Sequence, residues 1–286
     1  MTPEAAAPDW RRLDAFGWNE AADAFNRCYE NYVIPIRATG AELAARCRAE
    51  GVEPSLSHIL RDPLGPVALA LVARRAGRAR LAAFAVAPRA RGKGLARPVL
   101  ARLLAESDAR GDATLELEVF EHNVPAVRLY AGQGFMRVDR LFGFVFAPDT
   151  AGRAAPALVE RPVGELAHRL SRDPVAAALP WQLQPETLAA LPVPWTVLAA
   201  ADASFALVDL SRRDVAAVRF IYTVPAQRRR GHARALLAAI GRRAGRRPVV
   251  APELVPEALA ASALALGGRP LEHAQMRMSR TRPQRG

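Results

Sequence analysis

Two stretches of this chain repeat each other in a fixed register, and that repeat limits what the chain can fold into more than any other feature. The run from Val86 to Arg97 (VAPRARGKGLAR) returns from Thr223 to Arg234 (TVPAQRRRGHAR), and Val99 and Leu100 are answered by Leu236 and Leu237. Pro88 pairs with Pro225, Arg91 with Arg228, Gly94 with Gly231 and Ala96 with Ala233, all at an offset of 137. In a chain of 286 residues, at roughly 150 per domain, this spacing implies two domains of one design. Between the copies, Ala147 to Ala157 (APDTAGRAAPA) has small residues, two prolines and no apolar period, as a linker does. The expected organisation is a domain over 1–148, a linker over 149–155 and a second domain over 156–286, with loose ends at Met1–Asp9 and Ser279–Gly286.

Composition narrows the class. With 51% hydrophobic and 24% charged residues the chain reads as globular, and no run of 18 apolar residues offers a membrane span. The first ten residues lack the profile of a secretion signal, so a cytoplasmic location is expected. Cys28 and Cys47 stand in helical-looking segments without a partner set of metal-ligand spacing; they read as buried thiols, and no metal is expected. The net charge of +12 favours an anionic partner. Lys93 is the only lysine, however; the arginines are scattered, aromatics reach only 6% and no reader motif appears, so nucleic acid is an unlikely partner.

Periodicity places the elements. Asn19–Tyr32 carries a helical stripe through Ala22, Phe25 and Tyr29. Leu56–Arg61, Val67–Ala73 and Arg80–Ala87 read as a three-strand antiparallel meander. A helix follows Gly94, then a strand over Thr114–Phe120, a helix over Val124–Ala131 and a strand or hairpin over Met136–Phe146. The second half repeats this in outline: a stripe of Val163, Leu166, Ala167 and Leu170, strands within Trp195–Leu210 and Ala216–Val224, and a helix from Gly231. A strand at Pro248–Val250 and a helix at Pro256–Leu266 follow.

A strand ending at Val86-Ala87-Pro88, a glycine turn and a helix from about Gly94 form an anion cradle. Amides from Gly92 through Lys93, Gly94, Leu95 and Ala96 to Arg97 open onto the turn, no side chain shields Gly92 or Gly94, and the helix dipole adds positive potential. Pro98 in the first turn needs no amide partner. The bland alternative is a glycine turn with solvated arginines, and the second copy in register counts against it.

Arg91-Gly92-Lys93-Gly94-Leu95-Ala96 and Arg228-Arg229-Arg230-Gly231-His232-Ala233 resemble the pyrophosphate-binding signature of the GNAT (GCN5-related) N-acetyltransferases. Leu117-Glu118-Val119, Asn123, Ala126, Leu129-Tyr130 and Gly134-Phe135 resemble the family's second signature, and the likeness covers most of residues 20–146. It implies an α/β (α+β) fold of two tandem domains, each a mixed, mostly antiparallel sheet flanked by helices with a cofactor cleft between splayed strands. It also implies acetyl-CoA as cosubstrate and a primary amine, small molecule or protein N-terminus, as acceptor. The pantetheine arm would pair with the strand edge at Phe84 and Val86. An amine arrives mostly protonated at neutral pH and needs a base. Glu118 is the candidate, against a solvated strand glutamate. Tyr130, twelve residues on as in the subgroup acting on a ribosomal protein's N-terminal alanine, would protonate the departing thiolate, against a core tyrosine. Asn123 would cap the next helix, order the pantetheine, or both.

In the second half the cradle survives, but no asparagine or tyrosine stands where Asn123 and Tyr130 do. That copy reads as degenerate: it binds CoA weakly, completes the acceptor groove or stabilises the first. His232 reads as a turn residue, and Trp181 and Trp195 as core. The acceptor pocket is expected along Asn19–Arg48 and Met136–Phe146, with Glu30, Arg37 and Glu42 as unranked lining residues. A non-catalytic acyl-CoA sensor or interaction module stays open as a second function, and monomer and homodimer are both compatible.

Overall fold

The computed structural model describes residues 8–32, 34–147 and 156–283, so the linker expected over 149–155 lies outside the described residues. Contacts divide the chain into two compact units. Unit one holds Met1–Glu118, Val124–Met136 and Met278–Gly286; unit two holds Val119–Asn123 and Arg137–Arg277.

Unit one runs β1 (Asp9–Arg12), α1 (Trp18–Cys28), α2 (Gly40–Glu50), β2 (His58–Asp62), β3 (Gly65–Arg75), β4 (Arg78–Val86), α3 (Ala96–Arg110), β5 (Thr114–Phe120) and α4 (Val124–Ala131). Its sheet has the order β1-β2-β3-β4-β5, antiparallel except for the parallel pair β4–β5. The expected meander is β2–β4, and β1 adds a short charged edge strand that begins at the last residue of the end expected to be loose, pairing Asp9 with Arg61. The α1 stripe buries Ala21, Ala22, Phe25 and Cys28 and packs on β3. This helix stops at Cys28, not Tyr32, because the chain turns over Tyr29–Tyr32 and Asn31 takes a left-handed φ of 56°. Periodicity did not outline α2. Its ends are marked chemically: Thr39 and Glu42 form a reciprocal capping box, and Gly51 closes it at φ 69°. Glu42, expected near an acceptor, is thus committed to Thr39, which holds its carboxyl below the ordinary range. In the other end expected to be loose, residues 279–283 are described and make bonds. Arg280 makes two 2.8 Å bonds to Asp108 on α3, and the Arg282 amide donates to Ala113.

Unit two runs β6 (Met136–Phe146), β7 (Val159–Arg161), α5 (Val163–Ser171), α6 (Pro185–Ala189), β8 (Thr196–Ala200), β9 (Ser204–Asp209), β10 (Ala216–Thr223), α7 (His232–Ala244), β11 (Val249–Pro256), α8 (Glu257–Ala265) and β12 (Arg269–Thr281). Within this unit the sheet order is β12-β6-β11-β10-β9-β8-β7, and β10–β11 is again a parallel pair among antiparallel ones. The Trp195–Leu210 run is a hairpin whose turn residues Ala201 and Asp202 both have positive φ, as a primed turn requires. The strand expected at Pro248–Val250 continues to Pro256 as β11. One sheet face packs Phe144, Leu198, Val218, Leu236 and Ile240 into a core. A second core gathers Leu166, Leu170, Leu188, Phe205 and Tyr222. Trp181 is fully buried and Trp195 packs against the second core, as expected of core residues.

The link from α3 to β5 rests on Asp112, whose side chain is sealed from solvent and accepts from Arg74 Nε at 2.5 Å, Ser107 Oγ at 2.9 Å and Arg110. Burial alone would raise this carboxyl, but the Arg74 and Ser107 bonds and the Arg110 charge outweigh burial and lower it. Asp112→Ala should cost about 2–4 kcal/mol in urea unfolding at pH 7, below the full cost of a broken buried pair because Arg74 is partly solvated. A depressed folded value stabilises above the unfolded value of about 3.9, and that contribution is lost as pH falls below it. The gap between wild type and variant should therefore close below about pH 4.

Candidate active site

The parallel β4–β5 ladder pairs Arg78 with Thr114, Ala79 with Leu115 and Arg80 with Glu116, and its register ends there. β4 continues to Val86 and β5 to Phe120, so a gap opens past Arg80. Side chains reach the β4 main chain along this stretch. Arg46 Nη2 donates to Ala82 O at 3.1 Å, Arg91 Nε donates to Val86 O at 2.9 Å, and the main chain of Phe84 bonds the Tyr29 hydroxyl. Phe84 and Val86, expected to pair with a pantetheine arm, are both partly exposed, and the Val86 carbonyl is engaged by Arg91.

Beyond Val86 the chain makes a single 3-10 turn over Pro88–Ala90 and enters α3 at Ala96. Gly92 and Gly94 sit at φ 74° and 77°, and a Cβ built on either meets nothing within 4 Å. Among the described residues, no main-chain carbonyl takes the amides of residues 92–97. These amides are thus open, and Lys93 and Arg97 are exposed beside them. Arg91 does different work from the charge expected of it. Besides Val86, it donates to Cys28 O at 3.2 Å and Glu30 O at 3.0 Å, and so latches the turn to the end of α1. The Cys28 thiol beneath is pushed up to about 12 by burial, despite the nearby Arg91 and Arg89 charges, and stays protonated.

Tyr130 on α4 is 6% exposed, with its ring edge-on to Phe135 at 5.7 Å. Burial, reinforced by the neighbouring phenols Tyr29 and Tyr32, pushes its hydroxyl well above the ordinary tyrosine value. The phenol therefore keeps its proton throughout the physiological range. It also stands further from a thiol than the ordinary values suggest. Asn123 immediately precedes α4, its amide bonded to Phe120 O. Glu118 is not a solvated strand glutamate: its side chain is 3% exposed, and Oε2 accepts from Arg80 Nε at 2.8 Å and Nη2 at 2.6 Å. Arg80 Nη1 reaches Glu50 Oε2 on α2 at 2.6 Å, and Arg46 Nε meets Glu50 Oε1 at 3.1 Å. Burial works against a charged guanidinium here, but Glu118 and Glu50 more than offset it, and Arg80 is held firmly charged. Tyr29, Arg46, Glu50 and Arg80 were not singled out from sequence. The usable signal was an arginine immediately before the apolar run LAAFAV and a glutamate at the negative end of a helix.

In unit two, Arg228 Nε donates to Thr223 O at 3.1 Å, reproducing the Arg91–Val86 bond at the same offset, and Arg228 also pairs with Asp173. Arg229 occupies the Gly92 position at φ 63°, Gly231 stands at 84°, and Arg230 and the partly exposed His232 and Ala233 follow around the turn. β10 and β11 pair only at Ala216–Ala217 with Val249–Val250. Past that point Tyr222 and Leu254 belong to the buried apolar core, with Leu259 against it.

Residues 18–135 match the family model of the acetyltransferase (GNAT) family. Several solved structures share the fold over nearly the whole chain. A GCN5-related N-acetyltransferase from Sphaerobacter thermophilus is 17% identical at TM-score 0.64, with 97% of each chain covered. A tandem GNAT protein from the clavulanic acid biosynthesis pathway is 16% identical at TM-score 0.68, covering 98% of this chain and 100% of that one. A GCN5-related N-acetyltransferase from Kribbella flavida is 21% identical at TM-score 0.59, covering 96% of this chain and 72% of that one. The class is an α/β fold of two repeated units. The first half matches the GNAT family model, and the whole length shares the fold of the tandem protein.

The matched turns carry a reciprocal prediction. A left-handed backbone costs an L-residue about 1–2 kcal/mol, partly offset by the entropy glycine loses on folding. Arg229→Gly should raise stability and Gly92→Arg lower it, each by about 1 kcal/mol in chemical denaturation.

Proposed function

We propose that unit one transfers the acetyl group of acetyl-CoA to a primary amine by direct attack. The observation that carries this is the junction of a strand pair that stops pairing at Arg80 with a turn of open amides entering α3. The glycine positions fit a diphosphate, since a Cβ there would project into open space that phosphate oxygens can occupy instead. The amides of 92–97 with Lys93 and Arg97 would hold the pyrophosphate. The edge at Phe84 and Val86 would hold the arm. Acetyl-CoA, when bound, supplies the activated carbonyl and a thiolate leaving group. As the amine nitrogen bonds to that carbonyl carbon, the carbon–sulfur bond breaks. Tyr130 then gives its retained proton to sulfur and regains one, through solvent, from the nitrogen, which sheds a proton as it becomes the amide. Burial makes the phenol a weaker acid, but it equally disfavours a bare thiolate in the same apolar surroundings, so the transfer remains balanced.

We infer a supporting role for unit two. Arg229 in the glycine position and the apolar packing around Tyr222 and Leu254 favour a domain that stabilises over one that turns over. A second reading, a non-catalytic acyl-CoA module, is favoured by one observation: the Glu118 carboxylate, the sequence candidate for base, is committed to Arg80.

Calorimetry with acetyl-CoA paired with a screen of amines for thiol release separates the two readings. Micromolar binding with amine-dependent release supports transfer, and binding with no release from any amine supports the module. Tyr130→Phe should lower kcat by about 10²- to 10⁴-fold while acetyl-CoA affinity moves less than about threefold. Unchanged turnover in that variant would remove Tyr130 from the chemistry.

A further inference from the structure

A ligand arm can lie between β4 and β5 only if the strands stand about two strand spacings apart, ~9.6 Å, instead of one. Main-chain hydrogen bonds cannot set that distance, because they end at Arg80. What spans the structure at that point is a line of side chains in unit one. It runs from Ala82 O on β4 through Arg46 to Glu50 on α2, then through Arg80 to Glu118 on β5, with bonds of 3.1, 3.1, 2.6 and 2.6 Å in turn. Two guanidinium groups alternate with two carboxylates, so the line is neutral in sum. The side chains of Glu50, Arg80 and Glu118 are only 7%, 3% and 3% exposed.

Resting on the acyl-transfer reading above, we propose that Glu50, Arg80 and Glu118 are positioning residues that set the width of the β4–β5 gap and hold α2 against it, and that Glu118 serves Arg80 rather than the amine. Three observations support this. The triad sits at the first position past the ladder, where Arg80 is the last paired residue of β4 and Glu118 lies two residues beyond its partner Glu116. Both free ends of the Arg80 fork are used, toward α2 and toward β5, and an ammonium could not match that planar geometry. A buried ionic triad gives little net stability over apolar residues of equal volume, so folding energy alone does not account for it. Arg46 extends the line to the β4 carbonyl two residues beyond Arg80, which fixes the strand on the gap side of the last pair.

The experiment compares the full-length wild type with Glu50→Leu/Arg80→Met/Glu118→Leu, Arg80→Lys and Glu118→Gln. The readouts are thermal melting, acetyl-CoA Kd by calorimetry, and the pH profile of kcat/KM with an amine found active on the wild type. The triple variant removes the three most buried charges together and leaves only Arg46, whose side chain is 38% exposed, without its carboxylate. It should melt within about 5 °C of wild type yet bind acetyl-CoA at least tenfold more weakly. Glu118→Gln should weaken binding with an unaltered pH profile, and Arg80→Lys should fail to restore wild-type Kd. A folded triple variant with wild-type Kd overturns the proposal. So does Glu118→Gln with wild-type Kd and a lost acidic limb, which would make Glu118 the base. If the triple variant does not fold, the two single variants decide by the same readouts. A wild type that binds without releasing thiol overturns acyl transfer alone, and the Kd comparison still judges the triad; a wild type that does not bind takes both down.

Discussion

The rest of unit one depends on a parallel strand pair that stops being a pair. Up to Arg80 and Glu116, β4 and β5 are joined by main-chain bonds; beyond, the polar groups of β4 must find other partners or pay the cost of a bare edge. They find side chains from α1 and α2 and from the turn itself: Arg46 at Ala82, Tyr29 at Phe84 and Arg91 at Val86. Each supplies a bond without supplying a strand, and so the gap persists. The turn that follows inherits its position from the same device, since Arg91 ties the strand end to the carbonyls that close α1.

The two copies show which parts of that arrangement follow from architecture and which from chemistry. The latch from the arginine to the strand carbonyl five residues back is common to both, as are the 3-10 turn after proline and the left-handed glycine before the helix. These belong to the problem of turning a strand into a helix. What unit one alone has is Gly92, a phenol on the following helix and the ionic line through Arg80. In unit two the equivalent strands contribute Tyr222 and Leu254 to an apolar core. A copy relieved of a ligand can fill its gap with side chains, which stabilises it by ordinary burial.

The sequence displayed the repeat, the meander, the helix over 124–131 and the glycine cradle plainly, because each rests on local pattern: alternation, helical spacing, or glycine where φ must be positive. It displayed Tyr130 through a motif, and burial then gave that phenol its raised value. Of α2 it displayed only a helical-looking stretch at Cys47, since the apolar stripe is weak and the signature is the Thr39–Glu42 box. Nor did it show β12, whose run from Arg269 to Thr281 carries three arginines and reads as surface. Arg80 was missed for a deeper reason. A strand arginine is ordinarily solvated, and only the approach of Glu50 from 30 residues earlier and Glu118 from 38 later turns it into a buried hub. Such long-range pairing leaves no trace in a window of a dozen residues.

The basic composition takes on a different meaning once the arginines are placed. In a chain with one lysine, guanidinium groups do the capping that many proteins leave to water or small polar side chains. Arg91, Arg228 and Arg247 each donate to main-chain carbonyls, while Arg74, Arg80, Arg110 and Arg280 are spent on buried or half-buried carboxylates. The planar fork suits this use, because one side chain satisfies two or three acceptors in fixed directions. Part of the formal positive charge is therefore structural, engaged with carbonyls and carboxylates of the chain itself. The charge left to meet an anion at the unit-one turn is that of Lys93 and Arg97, added to main-chain amides whose direction is fixed by backbone geometry. Recognition there rests on the shape of a loop more than on the pI of the chain.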